Sequence, residues 1–502
     1  MSGDSRGAAG GWLPLVAPPG RRPYNQPIRD SEFVQRVRQY TPSSLVPLVA
    51  RYGAAFNDKE QYRQPTATQY APWVLAEVAR VSLVSGTEFY RAAADDGDLW
   101  ECSRAYLAIT DRALQRREDG AIGRFLLRMS SQLVFQQPVL NDLARTVALF
   151  EQTTPKRVPK VATEGWPERL LDCSLQDYVG AAILLYTSAL RNSGIFDLGW
   201  IEQSMFAEIT RDIPAEVLRR VIEDHYVATV QDLKTMQQDA DLLAGMPDAE
   251  YRRFSFNPLS SRPVVAGIAD TLVIPVPGFL VRQASPLGIY YSGLNKWDTS
   301  FANDIGDLFE SYVGRQLGLV PDAQVLPEIE FGSKKNKSLS VDWFLVFDSC
   351  VVLVEVKATR PTEPVRRADA QAGKDLEKRL GHSIDQLNGS ACKIRECAPE
   401  FSSIPSGRPL LGLVVTMEPF HTVNSLFGLS YLPECDIPFR IASVGEIEQL
   451  VTVDDMSPGQ LLLDFMTDTA NNGSSINGAL TGHLGRRNQI IDQAWATYPW
   501  ND

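Results

Sequence analysis

Histidine and cysteine, the residues that most often bind zinc, are scarce in this 502-residue sequence. It contains four histidines and six cysteines, and the cysteines are scattered without a C-x-x-C pair. A zinc site or a histidine-based catalytic centre is therefore disfavoured. The scattered cysteines, together with an N-terminus that lacks a signal-peptide pattern, favour a reduced, cytoplasmic protein.

Long apolar runs and two common catalytic motifs are also missing. The longest apolar candidate, 264–281, is interrupted by Asp270, Pro275 and Pro277, so we expect no membrane-spanning segment and no membrane partner. The sequence has no G-x-x-x-x-G-K-[ST] loop and no G-x-S-x-G elbow. It therefore gives no sign of a P-loop ATPase or of a serine hydrolase of the elbow type.

The composition is that of a folded protein with an acidic surface. Apolar residues make up 44% and charged residues 22% of the chain, and its length exceeds what one hydrophobic core usually holds. The net charge of −12 opposes general affinity for nucleic acid. Segment 331–396 is the exception, because 12 Lys and Arg stand there against 9 Asp and Glu. This segment is either a nucleic-acid contact or an ordinary solvated helix face.

The pattern along the chain predicts a multidomain α+β protein. Helical periodicity dominates 31–250, short β-rich runs between prolines follow in 251–299, and helices alternate with strands in 300–450. We therefore predict a flexible arm (1–30), an N-terminal α-helical domain (31–250), a small β connector (251–299), a C-terminal α/β domain with a mixed central sheet (300–450) and a helical tail (451–502).

Within 300–450 the pattern places individual elements. The predicted elements are a helix capped by Ser300, strands at 339–347 and 351–358, a long helix at 366–396, strands at 410–417 and 437–442, and a helix with a capping box formed by Ser443 and Glu446.

Three charged residues stand out against the apolar strands of this domain. The two strand-like runs flank a two-residue loop at 348–349, and a hairpin with that loop places Asp342 directly opposite Glu355. Lys357 lies two residues beyond Glu355 and so points to the same face. The sequence therefore predicts two carboxylates and one amine at the open end of the hairpin.

Two opposed carboxylates in an apolar sheet need a physical explanation. Like charges directly across a strand pair are destabilising, and buried carboxylates need a partner. A divalent cation that prefers oxygen ligands, such as Mg²⁺, supplies one. The other interpretation is that Glu355 and Lys357 are surface charges of an edge strand and that Asp342 only begins its strand.

Asp342 followed by Glu355-Val356-Lys357 resembles the PD-(D/E)XK nuclease superfamily over residues 300–450. That resemblance implies a restriction-endonuclease-like core of a helix, three strands, a helix and a further strand. It departs from the family in one place, where Val341 replaces the signature proline.

Two supporting positions of the family also have counterparts. Glu310 matches a glutamate on the helix before the sheet, and Gly306 and Gly314 flank it at a spacing of four, which permits close helix–sheet approach. Gln386 matches a glutamine on the helix after the E-x-K strand. The resemblance thus implies a catalytic set of Asp342, Glu355, Lys357, Glu310 and Gln386.

The resemblance also implies a metal-dependent endodeoxyribonuclease. Asp342, Glu355 and the carbonyl of Val356 would bind Mg²⁺ or Mn²⁺, with Glu310 as a further direct or water-mediated ligand. Lys357 would orient or deprotonate the attacking water or stabilise charge at phosphorus.

The expected partner is DNA, most readily double-stranded, and the expected phosphate contacts are basic. They are Lys334, Lys335, Lys337, Arg360, Arg366, Arg367, Lys374 and Arg379. By analogy of layout, the protein resembles bacterial restriction and anti-phage defence effectors. Two alternatives stay open: a catalytically silent module that binds nucleic acid or protein, and a scaffold whose helical domain binds a protein partner or self-associates.

Overall fold

The structure is a computed structural model that describes most of the chain. The described residues are 27–55, 70–118, 120–130, 139–245, 249–333, 336–369 and 371–498. The predicted arm, 1–30, therefore lies almost entirely outside the described residues. No described helix combines the length and apolar character that crossing a lipid bilayer requires.

The chain divides into two compact units, each built from two separate stretches. Unit 1 comprises residues 1–110 and 180–283, and unit 2 comprises 111–179 and 284–502. The boundaries predicted at 250 and 300 do not follow this division, because residues 111–179 belong to the same unit as the C-terminal part of the chain. Such an interleaved arrangement leaves no mark on local periodicity.

Helices are the most frequent elements among the described residues. In chain order the α-helices are α1 Asp30–Val37, α2 Pro42–Ala55, α3 Pro72–Ser85, α4 Asp96–Leu107, α5 Arg112–Gln115, α6 Ala121–Ser130, α7 Val139–Phe150, α8 Trp166–Leu171, α9 Leu175–Arg191, α10 Ala207–Asp212, α11 Ala215–Val221, α12 Val230–Leu243, α13 Gly278–Ala284, α14 Pro286–Leu317, α15 Glu363–Arg367, α16 Ala372–Leu376, α17 His382–Arg395, α18 Leu426–Leu429, α19 Val444–Leu450, α20 Pro458–Thr467, α21 Asn477–Leu480 and α22 Gln489–Trp495.

The described strands form three sheets. In chain order they are β1 Ile195–Phe196, β2 Val227–Thr229, β3 Val264–Ala266, β4 Leu272–Val273, β5 Gln324–Pro327, β6 Glu330–Ser333, β7 Asn336–Leu339, β8 Trp343–Val346, β9 Val351–Lys357, β10 Leu410–Thr416 and β11 Phe439–Ser443. The protein is therefore a mixed α+β protein, as the sequence predicts.

Unit 1 combines helices with a small four-stranded sheet in the order β1-β4-β3-β2. The stretch 31–250, predicted as an α-helical domain, also contains two short strands, β1 and β2, which pair with β4 and β3 of the predicted connector. These strands contain only two or three residues, which is too short to produce a readable alternation of apolar and polar positions.

Unit 2 contains a five-stranded mixed sheet in the order β11-β10-β9-β8-β5. Neighbours β5, β8 and β9 run antiparallel, whereas β9, β10 and β11 run parallel. The pairing of Trp343 with Val354 and of Val346 with Val351 confirms the predicted register around 348–349. Both faces of the hairpin are buried, which explains why its strands read as continuous apolar runs.

One predicted helix boundary agrees with the structure and one is wrong. The helix expected to begin at Ser300 is the second part of α14, because non-helical backbone at Asp298, whose φ is 54°, separates it from a first part that begins at Pro286. The long helix expected at 366–396 is interrupted after α15 by Ala368, which adopts a left-handed conformation, and helical structure resumes at Ala372. By contrast, the capping box of Ser443 and Glu446 is confirmed at the start of α19.

Helices cover both faces of the unit 2 sheet. On one face, Phe344 and Leu353 belong to a buried cluster with Ile384 and Leu387 of α17. On the other face, α14 approaches so closely that a Cβ added at Gly314 would lie 2.2 Å from the Trp343 ring. The prediction that glycine permits close helix–sheet approach is therefore confirmed for Gly314. It is wrong for Gly306, whose Cβ position has no atom within 4 Å.

The two glycines of α14 make a matched pair for testing this packing. Gly314→Ala should destabilise the protein by about 1–3 kcal/mol, because the new methyl group overlaps the Trp343 ring. Gly306→Ala should leave stability unchanged or raise it by up to about 1 kcal/mol, because alanine favours helices and nothing obstructs it. Denaturant unfolding measures both, and equal effects of the two substitutions would contradict the packing.

Candidate active site

The open end of the β8–β9 hairpin brings Asp342 next to β9. Asp342 immediately precedes β8, and its Oδ2 accepts a hydrogen bond from the backbone N–H of Val356 at 2.7 Å. The last strand pair joins Trp343 to Val354, so this contact is with the residue next to Glu355, which the predicted register places opposite Asp342. The N–H and C=O of a residue in an antiparallel pair face the same neighbour, so the Val356 carbonyl also faces the Asp342 side.

Glu355 is fully buried, with an exposed fraction of 0%. Its Oε1 accepts a hydrogen bond from the Lys357 ammonium, which is 30% exposed. Its Oε2 is buried and has no hydrogen-bond partner among the described residues. A buried carboxylate oxygen without a partner is costly, so this atom marks a position that favours a cation or a proton.

Gln386 reaches the same cluster from α17. Lys357 Nζ donates to Gln386 Oε1 at 3.3 Å, and Gln386 Nε2 donates to the carbonyl of Ser340 at 3.4 Å. Gln386 therefore bridges the amine to the segment that leads into Asp342. The structure thus brings together four of the five predicted catalytic residues.

Glu310 is the fifth, and it has a different partner. Its helix, α14, packs on the Trp343 face of the sheet, and its carboxylate pairs with the ammonium of Lys156. The same ammonium lies 4.4 Å from the centre of the Trp343 ring. Glu310 therefore stands at the edge of the cluster with a cation of the chain already bound to it.

Lys156 belongs to an irregular segment, 153–162, that is fastened to α14. Asp304 accepts hydrogen bonds from the backbone N–H groups of three successive residues, Lys160, Val161 and Ala162, at 2.7–3.0 Å. Asp307 accepts one from the N–H of Arg157 at 2.9 Å. Sequence reasoning missed this segment. The only available signal was the row of acids at three-residue spacing on α14.

Burial shapes the electrostatics of the two hairpin carboxyls. Burial raises the pKa of Asp342 to about 7, and the charge of Glu310 acts in the same direction. Burial likewise raises the pKa of Glu355 to about 8, with Asp342 as the next cause, although Lys357 lowers it. Burial and Glu310 also raise the pKa of Glu328, a further acid that sequence reasoning missed.

The donor set suits a hard cation, although it is not a complete cage. Among the described residues, no three His, Cys, Asp or Glu side chains converge closely enough to hold a metal ion. The fit rests instead on Asp342, on the unpartnered oxygen of Glu355 and on the carbonyl of Val356, all oxygen donors of the kind that Mg²⁺ prefers. Magnesium usually keeps several waters, so a partial set is compatible with binding.

Most of the predicted phosphate contacts are occupied within the chain. Lys334 and Lys335 lie outside the described residues. Four others form ion pairs: Lys337 with Glu330, Arg366 with Glu418, Arg367 with Asp369, and Arg379 with Asp375. Lys374 is exposed, and Arg360 is stacked on an aromatic ring. The basic segment is therefore partly neutralised by acids within it and by Glu330 and Glu418 outside it.

Comparison of the chain with protein-family models, curated proteins and solved structures finds no match. The geometry of the site must therefore carry the functional argument.

The raised pKa values predict how stability depends on pH when a chelator keeps the protein metal-free. Native Asp342 and Glu355 retain protons that the unfolded chain releases near pH 4, so stability should fall as pH rises from about 4 to about 8. The loss should be on the order of 4 kcal/mol for each of the two carboxyls. Denaturant unfolding at a series of pH values, in EDTA, measures it.

Two substitutions identify the source of that slope. Glu355→Gln should reduce the slope by roughly half, because Glu355 no longer titrates whereas Asp342 still does. Asp348→Asn is the control, since this exposed acid lies in the loop of the same hairpin and should leave the curve unchanged. A wild-type stability that rises across the same pH interval would contradict the argument.

Proposed function

We propose that the protein is a metal-dependent nuclease that hydrolyses phosphodiester bonds of DNA. One observation carries the proposal: the buried carboxylate of Glu355, with one oxygen lacking a partner, lies beside Asp342 and Lys357 at the accessible end of a hairpin. Two acids and an amine that converge in this way are costly in an apolar sheet. Their placement is reasonable if a cation and a phosphate complete the site.

The order of elements in unit 2 supports a restriction-endonuclease-like fold. Helix α14 precedes three antiparallel neighbours, β5, β8 and β9, with the β6–β7 hairpin inserted between β5 and β8. The helical run from α16 to α17 follows, and β10 then returns parallel to β9. This is the helix, three-strand, helix and strand sequence that the resemblance implies.

Each site residue has a distinct part in the proposed mechanism. Asp342, Glu355 and the carbonyl of Val356 would hold Mg²⁺ or Mn²⁺. When bound, the cation would polarise the scissile phosphate and lower the pKa of a water ligand. Lys357 places its ammonium where it can bind that water or a non-bridging phosphate oxygen, and Gln386 orients it.

A second candidate function has an observation in its favour. No three acidic side chains converge closely enough to hold a metal ion among the described residues. A catalytically silent module that binds nucleic acid or a partner protein would also have this feature. A role in restricting phage DNA rests on layout alone and belongs to the first candidate.

Cleavage assays distinguish the two candidates. Plasmid, linear double-stranded DNA, single-stranded DNA and RNA are each incubated with the protein and Mg²⁺ or Mn²⁺. Asp342→Asn, Glu355→Gln and Lys357→Met should each lower cleavage of DNA by about 100-fold or more, because each removes a group that acts on the reacting phosphate or its cation. EDTA should abolish it.

Lys393→Met provides the matched control for these variants. Lys393 is an exposed lysine of α17 that pairs with Glu396, outside the cluster. The Lys393→Met variant should cleave DNA like the wild type, and circular dichroism should show that all four variants are folded. Salt-sensitive DNA binding without cleavage under any metal would instead favour the second candidate. Wild-type cleavage by all three site variants would contradict the proposal.

The ion pair of Lys156 with Glu310 gives a prediction about metal affinity. If Glu310 contributes to cation binding, the ammonium of Lys156 competes with the metal ion for the Glu310 carboxylate. Lys156→Met should therefore tighten Mg²⁺ binding by about fivefold. Calorimetry on the protein without nucleic acid measures this directly. Lys160→Met is the control, because this exposed lysine holds Asp304 through its backbone alone. Equal affinity of the two variants would exclude Glu310 from the site.

A further inference from the structure

Arg360 is a partly buried cation that has no anionic partner in the part of the chain that the structure describes. It follows Lys357 by three residues, and its guanidinium carbon lies 3.1 Å from the centre of the Tyr291 ring and 5.7 Å from that of Tyr290. Its Nη1 is buried and has no hydrogen-bond partner among the described residues. Stacking on an aromatic face occupies the plane of a guanidinium and leaves its N–H groups directed outward.

The neighbouring carboxylates are engaged by other arginines. Arg366 donates to both oxygens of Glu418 at 3.0 Å, and Arg379 donates to Asp375 at 3.0 Å. Arg366 and Arg379 therefore each pair with a carboxylate, whereas no ion pair of Arg360 is found among the described residues. Burial, followed by the charge of Arg366, lowers the pKa of Arg360 to about 9.

The position of Arg360 is fixed relative to the candidate active site. The N–H of Thr359 donates to the carbonyl of Lys357 at 2.6 Å, which makes a tight turn at the end of β9. Arg379 reaches the Thr359 hydroxyl at 3.5 Å from the helical run that follows. Because three residues span at most roughly 10 Å, one nucleic-acid strand can contact Lys357 and Arg360 together.

We propose that Arg360, supported by Tyr290 and Tyr291, is a phosphate-binding subsite that takes a phosphate group of the nucleic-acid substrate next to the scissile one. A desolvated guanidinium with unpaired donors is unfavourable alone, and phosphate oxygens match its fork. The identification of the ligand as nucleic acid rests on the proposed function, whereas the anion site itself rests on the geometry.

Binding in EDTA tests the subsite without any cleavage. The probes are inorganic phosphate and two fluorescent single-stranded DNA 12-mers, identical except that one carries a 5′-phosphate and the other a 5′-hydroxyl. The variants are Arg360→Met, which keeps an apolar stem over Tyr291, and the control Lys378→Met, which removes an exposed lysine between α16 and α17. Calorimetry and fluorescence anisotropy measure affinity, and thermal unfolding measures stability.

Arg360→Met should weaken binding of both inorganic phosphate and DNA by about tenfold, because one charge-assisted contact is lost. The plot of log affinity against log salt concentration should become less steep, by the amount that one phosphate contact contributes. Its melting temperature without ligand should be unchanged or higher, because an uncompensated cation has been removed. Lys378→Met should match the wild type in phosphate binding.

The two oligonucleotides identify the source of the phosphate. An equal loss for both indicates an internal phosphodiester, and a loss confined to the 5′-phosphorylated strand indicates a terminal phosphate. Both results support the subsite. Wild-type affinity of Arg360→Met for inorganic phosphate and for both strands would overturn it, whatever its melting temperature.

The outcome is separable from that of the proposed nuclease activity. Loss of phosphate binding in Arg360→Met would establish the anion site even if the protein cuts no nucleic acid. Conversely, metal-dependent cleavage together with unchanged phosphate and DNA binding by Arg360→Met would support the nuclease proposal and contradict the proposed subsite.

Discussion

The register of the β8–β9 hairpin is the constraint on which the rest of the site depends. A two-residue loop at 348–349 fixes which residues face each other, and it thereby brings Asp342 to the end of β9 that carries Glu355, where its side chain binds the N–H of Val356. If the register shifted by one residue, the two acids would lie on opposite faces of the sheet. The strands are buried on both faces, so the free energy of apolar packing holds the two carboxyls together despite their mutual repulsion.

Local pattern was enough to predict the part of the site that the hairpin builds. Asp342, Glu355 and Lys357 follow from loop position and alternation, and Gln386 followed from the resemblance. Lys156 could not be predicted, because 154 residues separate it from Glu310 and only the tertiary fold joins them. The interleaved units and the kink at Asp298 were missed for a related reason, since neither changes the apolar period.

Charge pairing explains how an acidic protein can have a basic segment without general affinity for nucleic acid. The arginines around the end of β9 are mostly neutralised by adjacent carboxylates, and Lys156 neutralises Glu310 on the α14 side. Arg360 departs from this pattern, as does the unpartnered oxygen of Glu355. Among the described residues, Arg360 has no anionic partner and this oxygen of Glu355 has no donor. Both groups lie at the same end of β9.

The most direct measurement is a crystal structure of the wild-type protein soaked in Mn²⁺, with anomalous scattering used to locate the ion. Our account predicts an anomalous peak in contact with Asp342 and Glu355, with the carbonyl of Val356 as a further oxygen ligand. A crystal that takes up Mn²⁺ elsewhere, or shows no peak between the two carboxylates at a saturating concentration, would contradict it.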